Sequence, residues 1–268
     1  MSLDYITKAV QQAQQERNID SHKAKVTAIK PIEVNYDQIR TETVSEQHLH
    51  EHRIITGLCD TEQVNSYKML RTTVLRRLQK NGWNIFGVTS SIAGEGKTRT
   101  AINLSISLAM EGNHTVLLVD ADLQRPAIHK YFGYAPEKGL NDYLVDNTPV
   151  KDTLIHVAVG NLVILPVRKP LQNSSGYLRS PKMATLVEEA KTRYSSRIVV
   201  FDLPPLLSTD DVIAFSPLLD SILLVIEDGA VTHEELARSA ELLKDTNLLG
   251  TVLNKSKEKV MGYGPSYY

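Results

Sequence analysis

The sequence predicts an α/β fold, a mostly parallel sheet with helices on both faces, flanked by a flexible N-terminal leader and a C-terminal tail. Three observations predict it. Segments of strand length are almost continuously apolar, such as residues 198–201 and 222–226, which is the pattern of strands buried on both faces. Stretches of helical period separate them. Glycine-rich and acidic residues gather where the strands end, and ligands of such sheets bind beyond the carboxyl ends of the strands.

The elements follow in order. Residues 1–56 contain no glycine and are rich in Gln, Glu and Lys. This composition lacks the apolar content for a core, so residues 1–59 are expected to be a mobile leader with a short helix near 3–17. His48, His50 and His52 alternate within it. Three histidines this close can hold a metal, but the stretch is polar and carries no other ligand pattern, so a solvated linker is expected. The folded domain is expected over residues 60–254. Val64, Tyr67, Leu70, Val74 and Leu78 recur at helical spacing, with Asp60 as cap and Gly82 as stop signal. Strands are expected at 85–89, 115–120, 157–159, 162–165, 197–202, 221–226 and 248–254. Helices are expected at 97–110, from Pro181 to about Tyr194, from Thr209 onward, and from the capping box Thr232-His233-Glu234-Glu235 to about Thr246. Residues 255–268 form the tail.

Bulk properties narrow the function. A length of 268 residues suits one sizeable α/β domain with extensions. The net charge of −1 argues against whole-protein attraction to nucleic acid, so no nucleic-acid partner is expected. The single cysteine, Cys59, cannot close an internal disulfide and fits a reducing compartment. No apolar run approaches the ~18 residues of a membrane span. The N-terminus lacks a signal-peptide pattern, so a cytoplasmic protein is expected.

The chemistry lies after the first expected strand, in Ser91-Ile92-Ala93-Gly94-Glu95-Gly96-Lys97-Thr98. Glycines let backbone N–H groups curl around phosphate oxygens, and the following helix start adds partial positive charge. Lys97 is expected to reach the β- and γ-phosphates of ATP, and the Thr98 hydroxyl to ligate Mg²⁺. Ser91, Ala93, Gly94, Glu95, Gly96 and Arg99 complete the expected nucleotide contacts. Ser91 stands where the strict phosphate-loop pattern has its first glycine. Two strand ends deliver Asp120-Ala121-Asp122 and Asp202. Such carboxylates can hold Mg²⁺ directly or through water, or orient an attacking hydroxyl. Asp122 can alternatively cap the turn that follows it.

These residues, in this order, resemble the bacterial tyrosine kinases, the MinD-like autokinases of capsule and exopolysaccharide loci. The resemblance covers about residues 60–268. It includes Ser66-Tyr67-Lys68-Met69-Leu70-Arg71-Thr72, Arg125-Pro126, Asp202-Leu203-Pro204-Pro205 and Gly250-Thr251-Val252-Leu253-Asn254. The stand-alone cytoplasmic subgroup fits best. The resemblance implies autophosphorylation of a C-terminal tyrosine cluster by neighbouring subunits, and Tyr263, Tyr267 and Tyr268 match that cluster. It implies catalytic roles for Lys97, Asp120, Asp122 and Asp202. Thr98, Asp120 and Asp202 are the implied metal ligands, and Asn254 an adenine contact. It implies two partners: further copies of the chain, and a transmembrane regulator of polysaccharide chain length. The sister ATPases of cell division carry an additional lysine that would fall at Ile92, which argues against that branch. Two positions depart from the family pattern. Gln124 replaces an arginine, and Asn65, Lys68 and Arg71 stand where an oligomerisation motif has Glu, Arg and Arg. A non-kinase ATPase switch acting on a membrane partner remains the alternative.

Overall fold

The computed structural model describes residues 39–56, 62–192 and 196–256, all within one unit of the chain, Ile32–Tyr268. The expected helix near 3–17, Cys59, Asp60, Tyr194 and the tail tyrosines lie outside the described residues. The chain opens with β1 (Arg40–Thr41), α1 (Glu46–Glu51), α2 (Glu62–Asn81), β2 (Ile85–Ser90) and α3 (Lys97–Ala109). It continues through β3 (Thr115–Asp120), α4 (Ile128–Phe132), α5 (Leu140–Asp146), β4 (Ile155–His156), β5 (Leu162–Leu165) and α6 (Ser174–Leu178). It ends with α7 (Pro181–Thr192), β6 (Arg197–Asp202), α8 (Asp211–Phe215), β7 (Ser221–Glu227), α9 (His233–Leu242) and β8 (Leu248–Asn254).

The strands form one sheet in the order β1-β4-β5-β3-β6-β2-β7-β8. From β5 to β8 every pairing is parallel. β4 runs antiparallel to β5, and β1 pairs parallel with β4. All six residues of β2 and all six of β3 are buried. Side chains alternate between the faces of a strand, so each face needs its own helical cover. Phe86, Val88, Leu118 and Val200 pack with Val74, Leu104 and Leu108 of α2 and α3. Ile85, Val119, Val199 and Phe201 pack with Met183, Leu186 and Phe215 of α7 and α8. The continuous apolar runs follow from this two-sided burial.

Two local expectations are corrected. The strand expected at 157–159 lies earlier, at Ile155–His156. Ala158 adopts a left-handed φ of +54°, which an extended strand cannot contain. The histidine stretch is not a solvated linker. It forms α1, with the Ser45 side chain accepting from His48 N. Leu49, Ile54 and Ile55 are buried in the core. His48 Nε2 donates to Lys130 O at 2.9 Å, and its ring stacks on His52 with centroids 4.1 Å apart. Residues 39–56 of the expected leader are therefore packed on the domain.

Asn103 of α3 anchors this strap. Its side chain is fully buried; Oδ1 accepts from Ile55 N at 3.0 Å and Nδ2 donates to Arg53 O at 3.1 Å. Asn103→Leu leaves Ile55 N unpartnered and Arg53 O with only Gln63 Nε2, 3.1 Å away. It is expected to destabilise the fold by about 2–3 kcal/mol, read as a lower urea midpoint with unchanged slope. An unchanged midpoint would show that the strap is not held there.

Candidate active site

β2 runs into the loop 91–96, and α3 starts at Lys97 with Gly96 as its cap. Gly94 and Gly96 both have φ of +92°, a conformation that residues with a Cβ rarely adopt. No side chain caps the start of α3, which leaves its first N–H groups for an anion. Ala93 and Gly94 are exposed at the loop tip, and Arg99 is half-buried on the first turn of the helix. Ser91 is fully buried, and its hydroxyl hydrogen-bonds that of Ser239 in α9 at 2.9 Å. The serine in the place of the first glycine is thus satisfied by a neighbouring helix.

β3 and β6 lie side by side with Asp120 and Asp202 in register. Lys97 Nζ sits 3.0 Å from Asp122 Oδ2 and 3.8 Å from Asp202 Oδ1. It also lies 3.2 Å from Thr98 Oγ1. Asp122 serves the following turn as well, because its Oδ1 accepts from Arg125 N at 3.0 Å. Asp120 Oδ2 accepts from Ala127 N at 3.0 Å and Ile128 N at 3.1 Å. The other oxygen of Asp120 and both oxygens of Asp202 are buried without a hydrogen bond.

The electrostatics follow from burial. Burial, then the charge of Asp202, pushes the Asp120 carboxyl up to about 8. Burial raises Asp202 to about 6 against the opposing pull of Lys97. Burial disfavours the charge of Lys97, but Asp202 and Asp122 outweigh it and hold the ammonium above the ordinary lysine value.

The structure thus brings Lys97, Thr98, Asp120, Asp122 and Asp202 together. Among the described residues no three His, Cys, Asp or Glu side chains are arranged to hold a metal ion on their own. Mg²⁺ is commonly bound by one or two carboxylates, with phosphate oxygens and water completing its shell. The oxygens of Asp120 and Asp202 that lack a hydrogen bond suit that arrangement.

Asn254 lies on the far side of the loop. Its Nδ2 donates to Glu95 O at 2.6 Å, so that amide group is engaged by the loop itself. Gln124 is held by two side chains further along the chain. Its Nε2 donates to Ser174 Oγ at 2.8 Å and to Asp211 Oδ2 at 3.3 Å. Asp211 is fully shielded from solvent, and burial raises its carboxyl above the usual range. A cleft of about 540 Å³ opens beside this group, lined by Gln124, Leu171, Asn173, Ser174 and Asp210. On α2, Asn65 and Lys68 are exposed. Arg71 is tied within the chain, donating to Ser107 O at 3.0 Å.

The sequence did not single out Ser174, Asp211, Ser239 and Lys255, and it offered Glu95 only as a nucleotide contact. The Glu95 carboxylate is buried and accepts from Ile92 N at 2.7 Å and Glu227 N at 2.9 Å. An acidic residue between two glycines was the available signal.

A family model described as an AAA domain matches residues 84–256, which spans the loop, the carboxylates and Asn254. The chain is 30% identical over 221 residues to the tyrosine-protein kinase YwqD of Bacillus subtilis (strain 168), covering 81% of this chain and 91% of that protein. The chain belongs to the bacterial tyrosine-kinase family. It is also 28% identical over 207 residues to the putative tyrosine-protein kinase EpsB of Ralstonia nicotianae, covering 76% of this chain but 27% of that longer protein. The solved kinase domain of the Escherichia coli tyrosine kinase ETK superposes with a TM-score of 0.69 at 27% identity, covering 85% of this chain and 94% of that one. For a bacterial tyrosine kinase with this loop, ATP binding is implied. Among the described residues no helix is long and apolar enough to cross a membrane.

Proposed function

We propose that the protein is an ATP-dependent protein-tyrosine autokinase that phosphorylates Tyr263, Tyr267 and Tyr268 of a neighbouring copy and so regulates exopolysaccharide synthesis or export. The observation that carries this reading is the convergence of Lys97 with Asp120, Asp122 and Asp202 at the carboxyl ends of β3 and β6. A cytoplasmic location and a transmembrane chain-length regulator as partner belong to the same proposal.

Phosphoryl transfer asks a protein mainly for positioning and charge stabilisation. The loop N–H groups hold the β- and γ-phosphates. Lys97 sets its ammonium against the oxygens of the transferred group. Thr98, Asp120 and Asp202 would hold Mg²⁺, which when bound supplies positive charge to the phosphate oxygens. Asp120 accepts the tyrosine proton as the new O–P bond forms and the bond to ADP breaks, with Asp122 assisting. Burial and the neighbouring charge of Asp202 raise the Asp120 carboxyl above the ordinary range, so its ionised form is a stronger base toward the phenol.

The neutral Gln124, held by Ser174 and Asp211 at a position where the family pattern has an arginine, favours a second reading. In it the protein is an ATPase switch that controls a membrane partner. One experiment separates the two. The full chain is incubated with ATP labelled on its γ-phosphate, beside a variant with Tyr263, Tyr267 and Tyr268 changed to Phe. The kinase reading expects phosphotyrosine in the wild type and at least a tenfold loss in the variant. ATP hydrolysis without phosphotyrosine would leave the switch.

A further inference from the structure

We propose that Asn254 and Lys255, at the root of the tail, are positioning residues that aim the N–H groups of the phosphate loop. The inference rests on reading residues 91–98 as the nucleotide loop.

In a trans peptide unit the C=O and the following N–H point in opposite directions. Lys255 Nζ donates to Gly94 O at 2.8 Å, and Asn254 Nδ2 donates to Glu95 O at 2.6 Å. Both oxygens are therefore drawn toward the end of β8. The N–H groups of Glu95 and Gly96, which share those peptide units, are turned the other way. Among the described residues no group accepts a hydrogen bond from either N–H. Successive unpartnered N–H groups in a glycine-rich turn are what cradle phosphate oxygens.

Further contacts hold the same side of the loop. The buried Glu95 carboxylate joins Ile92 N to Glu227 N. Lys255 is itself fixed by Glu227 at 2.7 Å and by a left-handed φ of +58°. A Cβ at position 96 would meet the Asn254 amide, so glycine there leaves room for the bond from Asn254 to Glu95 O. The segment that leads into the tyrosine tail is thus built into the nucleotide site. A shift of the tail root changes the aim of the N–H groups that grip phosphate.

The test compares Asn254→Asp, Lys255→Met and Lys255→Arg with the wild-type full chain, titrating ATP, ADP and adenosine and recording melting curves without nucleotide. Asn254→Asp places a carboxylate against the Glu95 carbonyl, and Lys255→Met removes the donor while keeping the stem. Each is expected to weaken ATP and ADP about tenfold and to leave adenosine unchanged, while Lys255→Arg stays within about threefold of wild type. Equal losses for adenosine would make these residues base contacts and overturn the proposal. A lowered melting temperature with unchanged ATP and ADP affinity would make them merely structural and overturn it too. A wild-type chain that binds no ATP would overturn the loop reading and this inference with it. A wild-type chain that binds ATP but forms no phosphotyrosine removes only the kinase reading.

Discussion

Lys97→Met is expected to lower tail phosphorylation about a thousandfold, in the range of removing a preorganised donor from developing oxyanion charge. Lys97 is the cation that the buried carboxylates share, at 3.0 Å from Asp122 and 3.8 Å from Asp202. When ATP arrives, the same ammonium must serve the transferred phosphoryl group, and methionine offers neither charge nor donor. The substitution also acts on the fold. Asp122 loses its buried partner, and breaking such a pair costs about 3 kcal/mol. Melting curves therefore accompany the rate measurement, and phosphorylation is compared well below the lowered midpoint. Single-turnover labelling of the tail is the decisive readout. A variant that keeps more than a tenth of the wild-type rate while folded would show that Lys97 is not the charge that carries the transfer.

The parts of this site that were legible in the sequence are those whose signal is local. β2 and β3 declare themselves because burial on both faces leaves four consecutive positions without a polar side chain, 85–88 and 116–119. Lys97 and Thr98 are readable because the glycines before them, with φ of +92°, sit directly between a strand and a helix. Asp120 and Asp202 are readable as strand ends, and the parallel register then sets them side by side. What stayed hidden depends on long-range contacts. The Gln124 amide finds Ser174 and Asp211, which lie 50 and 87 positions further along the chain. The polar histidine stretch looked solvated because its anchors are Leu49, Ile54 and Ile55, too few and too scattered to give a period. Its main-chain partner Asn103 sits 48 positions beyond Ile55. Asn254 could be placed at a strand end from the sequence, but the direction of its amide, toward Glu95 O, could not.

Asp120→Asn is expected to lower phosphotyrosine formation by about three orders of magnitude, with the fold retained and ATP·Mg²⁺ affinity reduced by far less than the rate. The geometry makes this a clean substitution. The asparagine oxygen can still accept from Ala127 N and Ile128 N, which lie 3.0 and 3.1 Å from Asp120 Oδ2. Its amide nitrogen then occupies the place of the oxygen that is buried without a partner. An amide nitrogen, its lone pair delocalised, cannot accept the tyrosine proton and cannot ligate a cation. Replacing this carboxyl with an amide also removes the burial cost and the repulsion with Asp202 that its ionised form carries, so the urea midpoint should hold or rise. Asp122→Asn provides the contrast. Its one amide oxygen can serve Arg125 N but then turns an NH2 toward Lys97 in place of the oxygen that accepts from it, so a loss of about tenfold is expected from removing one charge-assisted hydrogen bond. Phosphotyrosine rate, ATP affinity and urea midpoint are measured on both variants. A nearly full rate in Asp120→Asn with a large loss in Asp122→Asn would move the proton-accepting role to Asp122. A loss of ATP·Mg²⁺ affinity that matches the loss of rate in Asp120→Asn would confine Asp120 to holding the metal–nucleotide pair.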